Sequence, residues 1–88
     1  MPLLNVLLFA RARELAETSS TTLTLPDDPS ATVADARAEL LTRFPQLSGV
    51  LQTSIFALNK TYVKRDDERV AIVRAGDELA VVPPISGG

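Results

Sequence analysis

The 88-residue chain contains no cysteine and no histidine. The first absence excludes disulfides, thiolate nucleophiles and thiolate-bound zinc. The second removes the imidazole base on which most nucleophilic hydrolysis depends. Nine Lys and Arg stand against eleven Asp and Glu with no basic cluster, which argues against a nucleic-acid surface. No apolar run approaches the ~20 residues that a membrane-spanning helix needs. Leu3-Leu4-Asn5-Val6-Leu7-Leu8-Phe9, ahead of Ala10-Arg11-Ala12, imitates the apolar stretch and cleavage site of a secretory signal. Yet no basic residue precedes it, Asn5 interrupts it, and it is too short. It is read as structure, in a protein expected to be cytoplasmic and to bind neither membrane nor nucleic acid. Carboxylates, hydroxyls, Lys and the chain terminus remain for any chemistry.

With 45% apolar and 23% charged residues, one domain with one small core is expected, without repeat or linker. Leu3 to Phe9 reads as a first strand with Leu4, Val6 and Leu8 on one side and Leu3, Asn5, Leu7 and Phe9 on the other. Ala10 to Ala16 offers helix formers for a turn or two. Thr21 to Leu25 reads as a second strand, closed by Pro26-Asp27-Asp28-Pro29. Thr32 and Asp35 have the spacing of a capping box, and Val33, Ala36, Leu40 and Phe44 recur at helical intervals, widened by Leu41. Arg37, Glu39 and Arg43 are placed on the outward side of this helix, which ends ahead of Pro45. Gln46 to Thr53 is a loop with one further turn near Val50-Leu51. Ser54 to Leu58 is a third strand, Asn59-Lys60 a tight turn into Tyr62-Val63, Gly76-Asp77 another turn, and Glu78 to Val82 the last strand. One helix crossing a face of a small mixed sheet is an α+β arrangement that matches the β-grasp, or ubiquitin-like, architecture. Strand order is not legible from propensity.

Side chains offer little chemistry. Asp27-Asp28 and Asp66-Asp67-Glu68 fall in turn-like stretches and read as solvated charge, without the glycine and terminal glutamate of a calcium loop, so no metal site is expected. Lys60 and Lys64 sit in no apolar run that would expose a nucleophilic amine. The sheet is more informative. If Leu4, Val6 and Leu8 face the helix, Leu7 and Phe9 face outward, as do Ala80 and Val82 if Leu79 and Val81 point in. With the first and last strands adjacent, Leu7, Phe9, Ala80 and Val82 would merge into one partner-binding patch. Ile55-Phe56-Ala57-Leu58 is apolar at every position and reveals no parity.

The strongest feature is Pro83-Pro84-Ile85-Ser86-Gly87-Gly88. The prolines stiffen its root, and two residues without Cβ can pass a narrow channel. Extended, Pro84 to Gly88 reaches ~16–18 Å. A domain over residues 1–83 with a flexible Gly-Gly tail over 84–88 is therefore expected.

In Val6-Leu7-Leu8-Phe9-Ala10 with Arg13-Glu14-Leu15, in Thr32-Val33, in Ala57-Leu58-Asn59, and in the run from Ala75-Gly76-Asp77-Glu78 through Gly88, the sequence resembles a known family. These are the sulfur-carrier small subunits of molybdopterin synthase, in the MoaD/ThiS group of ubiquitin-like proteins. Val82 stands where that family often carries an aromatic. The resemblance implies that an E1-like activating enzyme, using ATP and magnesium, adenylates the Gly88 carboxylate. Sulfur from a persulfide donor then leaves a thiocarboxylate there. The tail Pro83, Pro84, Ile85, Ser86 and Gly87 would thread into the large catalytic subunit, in a heterotetramer, where cyclic pyranopterin monophosphate accepts sulfur for its dithiolene. The carrier binds no cofactor and is no enzyme on its own. Carriers for thiamine or tRNA thiolation share this chemistry, a ubiquitin-like modifier would form an isopeptide bond through Gly88, and a passive interaction module would need no free terminus.

Overall fold

Burial alternates along the first strand as its sequence alternates. In the computed structural model, which describes residues 3–25 and 30–84, β1 (Leu3–Leu8) buries Leu4, Val6 and Leu8 and leaves Leu3 and Asn5 in water. Phe9 does not continue the strand. It caps the N-terminus of α1 (Ala10–Ala16) from an extended backbone conformation, and α1 turns Ala12 and Ala16 into the core. Seven residues are too few for a helix to persist alone, so this burial holds α1 in place. β2 (Ser20–Thr24) follows, with Leu23 and then Leu25 buried. Pro26, Asp27, Asp28 and Pro29 lie outside the described residues.

α2 (Val33–Arg43) begins at the expected capping box. Thr32 N–H donates to Asp35 Oδ2 at 2.9 Å, and Asp35 N–H donates back to Thr32 Oγ1 at 3.4 Å. Val33, Ala36 and Leu40 are buried, and Leu41 and Phe44 pack at the margin of the core. The segment read as a loop is more regular than expected: a 3₁₀ turn (Pro45–Leu47) runs into a one-turn α3 (Ser48–Leu51), burying Leu47 and Leu51.

β3 (Ile55–Leu58) and β4 (Thr61–Val63) form a hairpin whose turn residues Asn59 and Lys60 have φ of 49° and 72°, the double positive φ of a two-residue hairpin loop. After a charged 3₁₀ turn (Arg65–Asp67), Ile72 bridges back to Thr32. At the turn before β5 (Glu78–Val82), Gly76 has φ 86° and Asp77 N–H donates to the Arg74 carbonyl at 3.0 Å. That φ favours glycine. The Gly76 N–H then reaches the Leu3 carbonyl at 2.8 Å, which sets β5 against β1.

The five strands are ordered β2-β1-β5-β3-β4, with β1 and β5 parallel and the other neighbours antiparallel. The core lies between one face of this mixed sheet and the three helices. This is the expected α+β, β-grasp arrangement, and it leaves the opposite sheet face without a covering layer. Among the described residues, no helix is long and apolar enough to cross a membrane.

Candidate functional site

Strand register sorts the uncovered face into rows. Leu7 stands opposite Ser20 and Ala80, Ala80 opposite Ala57, and Ala57 opposite Tyr62, so one row crosses all five strands. A second row pairs Val82 with Ile55, and a third runs Thr22, Asn5, Glu78. The half of the face nearest the end of β5 is therefore apolar, and the other half carries Thr22, Asn5 and Glu78 beside an exposed Leu3. Leu7, Ala80 and Val82 are half-buried, whereas Phe9 is 46% exposed, Ile55 51% and Tyr62 70%. All four expected patch residues fall on the uncovered side of the sheet or at its rim. Ile55 and Tyr62 extend the patch across β3 and β4. Phe56 settles the parity that sequence left open: it is fully buried, so Ile55 and Ala57 must face the other way.

The apolar half ends where the tail begins. Val82 closes β5, Pro83 is buried and Pro84 is exposed. Ile85, Ser86, Gly87 and Gly88 lie outside the described residues.

A second constellation was misjudged from sequence. Arg37 does not face away from the protein, and Glu68 is not solvated loop charge. Glu68 is only 4% exposed and accepts a bidentate pair from Arg37, Nε to Oε1 and Nη2 to Oε2, each at 2.8 Å. The Arg37 guanidinium lies 4.5 Å from the centroid of Phe56 and donates to the Leu51 carbonyl. Arg65 approaches Glu68 at 3.8 Å and donates to the carbonyls of Gln52 and Ser54. Both arginines satisfy carbonyls in and just after α3, and Glu68 offsets the buried Arg37 guanidinium while Arg65 remains half exposed to water. Nothing in the local pattern announces this, because the partners are 31 residues apart. Asp66 and Asp67, by contrast, are exposed as expected. Arg43 is exposed as expected, and it donates to the Thr22 carbonyl of β2 at 3.4 Å. A cleft of about 460 Å³ beside the cluster is lined by Ala34, Arg37, Arg65, Asp66, Glu68 and Arg69. Of its arginines, Arg37 and Arg65 are engaged by Glu68 and backbone carbonyls. Among the described residues, no three His, Cys, Asp or Glu side chains converge as metal ligands.

The profile of the ThiS family matches residues 6–88. A protein of Chlamydomonas reinhardtii named molybdopterin synthase sulfur carrier subunit is 39% identical over 85 residues, covering 97% of this chain and 98% of its own. Its namesake in Arabidopsis thaliana is 44% identical over 85 residues, covering 97% and 82%. Among solved structures, the crystal structure of SAMP1 from Haloferax volcanii, a small archaeal modifier protein, has a TM-score of 0.81 at 30% identity, covering 98% of this chain and 99% of that one.

Proposed function

Because the chain belongs to the ThiS family, we propose that it is the sulfur-carrier subunit of a molybdopterin synthase. The observation that carries this reading is full-length similarity to proteins of that name, with the family match running through Gly88. The side chains agree with it, since a carrier needs a reactive end and a docking face but no acid–base set of its own.

In this reading an E1-like enzyme, using ATP and magnesium, joins AMP to the Gly88 carboxylate and releases pyrophosphate. A carboxylate is a poor electrophile, and the adenylate supplies the missing leaving group. The outer sulfur of a donor persulfide displaces AMP to give an acyl disulfide. A second thiol on the donor side then cleaves its S–S bond, which leaves the thiocarboxylate on Gly88 and a disulfide on the donor. Leu7, Phe9, Ala80 and Val82, with Ile55 and Tyr62, dock on the large catalytic subunit, and Pro83 to Gly88 enter its active site. There the thiocarboxylate sulfur bonds to cyclic pyranopterin monophosphate. Water then cleaves the resulting acyl–sulfur bond to leave sulfur on the pterin and a carboxylate on Gly88, and substrate binding and proton transfers fall to the partner. The assembly is a cytoplasmic heterotetramer, and this chain holds no cofactor itself.

The test is intact mass after incubation with ATP, magnesium, sulfur donor and activating enzyme, followed by conversion of the cyclic pterin by the reconstituted complex. Replacement of one oxygen by sulfur, and then dithiolene formation, are expected; a chain that accepts sulfur without delivering it to the pterin serves another acceptor. Similarity to an archaeal modifier protein favours a second reading, attachment of Gly88 to lysines of other proteins. Tryptic peptides carrying Gly88 on lysine would identify it.

A further inference from the structure

The Arg37–Glu68–Arg65 cluster has no part in the sulfur chemistry above, yet it ends on the peptide that opens β3. The Ser54 carbonyl accepts from Arg65 Nη2 at 3.3 Å and from Arg37 Nη2 at 3.5 Å. Ser54 is itself buried, with its hydroxyl donating to the Val50 carbonyl at 2.7 Å. In a planar trans peptide the carbonyl and the following N–H point in opposite directions. Fixing the Ser54 carbonyl therefore fixes the direction of the Ile55 N–H.

Register shows where that N–H goes. Asn59 N–H donates to the Glu78 carbonyl at 2.8 Å, and Ala57 with Ala80 and Ile55 with Val82 continue the same ladder in steps of two. Hydrogen-bonded pairs recur at every second residue of an antiparallel ladder, so Ile55 and Val82 are such a pair. Val82 is the last residue of β5, and Pro83 has no N–H with which to extend it. On the other side, the β1 ladder stops one residue earlier, at Leu8 and Val81. The Ile55–Val82 pair is the last rung before the tail. β4 cannot brace it from behind, because β4 ends at Val63 and arginine side chains take the place of its next backbone donor.

We infer that Arg37, Arg65 and Glu68 are positioning residues for the root of the tail. Glu68 holds the guanidinium groups, these hold the Ser54–Ile55 peptide, and the Ile55 N–H holds the Val82 carbonyl, which aims the chain leaving Val82 at the partner's reaction centre. The aiming step rests on the carrier reading; the anchoring step does not.

The experiment uses the full chain with Glu68→Gln, which keeps the shape and removes the charge. Amide exchange at Ile55 should rise about 10-fold relative to Ala57 in the same ladder, with Val6 reporting global opening. Single-turnover sulfur delivery from the thiocarboxylated variant, at saturating partner, should fall about 10-fold while Kd for the partner stays within about twofold, because misplacement penalises the reacting geometry more than docking. Arg65→Lys should shift both readouts the same way and replaces Glu68→Gln if that variant fails to fold. An unchanged Ile55-to-Ala57 exchange ratio overturns the inference. A raised ratio with undiminished delivery overturns the aiming step. If the unmodified chain takes up no sulfur, the carrier reading fails and the aiming step with it, and the exchange ratio alone decides the anchoring.

Discussion

Phe9 and Glu68 show how far a residue's role can depart from its type. Phe9 is a large apolar side chain that the fold leaves nearly half exposed, and Glu68 is a charge that the fold buries. Phe9→Asp should change stability by no more than about 0.5 kcal/mol, as for other surface positions. It should nevertheless weaken binding to the large subunit by about 10-fold or more, since the new carboxylate would be buried without a counter-ion. Thermal melts and titration calorimetry on the same variant separate the two effects, and a collapse of the fold would show that Phe9 belongs to the core. Glu68→Ala should behave in the opposite way, costing about 3–5 kcal/mol in urea denaturation because two arginines lose their buried partner. Asp66→Asn, on an exposed neighbour in the same acidic run, should cost less than about 0.5 kcal/mol. Equal effects at the two positions would mean that Glu68 is hydrated in solution. The placement of Phe9 was legible, because Leu4, Val6 and Leu8 alternate with Asn5. That of Glu68 was not: a run of charges looks alike whether or not one member meets an arginine far away in sequence.

At the scale of the element, local chemistry and long-range packing divide the work. The capping box, the Asn59-Lys60 hairpin and the Gly76 turn each depend on a few adjacent residues, and each is found where the sequence places it. β3 is the contrary case. Its residues are apolar on both faces, so alternation carries no information, and only packing against α2 and pairing with β5 decide that Phe56 turns inward. Strand order was likewise hidden, since the parallel pairing of β1 with β5 joins segments at opposite ends of the chain. α2 carries the testable consequence. Leu40 is fully buried among residues from the sheet and the helices, so Leu40→Ala should cost about 2–5 kcal/mol by calorimetry or denaturant titration. A value below about 0.5 kcal/mol would place Leu40 at the surface.

For the whole molecule, the proposed division into a folded body and a reactive end can be tested by changing the end alone. Deleting Gly88, or adding one residue after it, should leave circular dichroism and melting temperature nearly unchanged while abolishing productive sulfur transfer. One residue of extended chain is ~3.3–3.6 Å, far more than the ~1 Å displacement that already costs about 10²-fold at a reaction centre. Normal delivery by the deletion variant would leave only a passive binding module. The sheet order has a consequence of a different kind, for how the protein is made. β5 is last in chain order and central in the sheet, between β1 and β3. Until β5 is free to pair, β1 with β2 and β3 with β4 have no strand to join them, and isolated two-stranded units are marginal in water. The core therefore closes only after synthesis has passed β5, and the apolar half-face, built from β1, β3, β4 and β5 together, does not exist before then. The apolar half-face is thus a late product of synthesis: translation withholds it until the strand that leads into the tail can take its central place in the sheet.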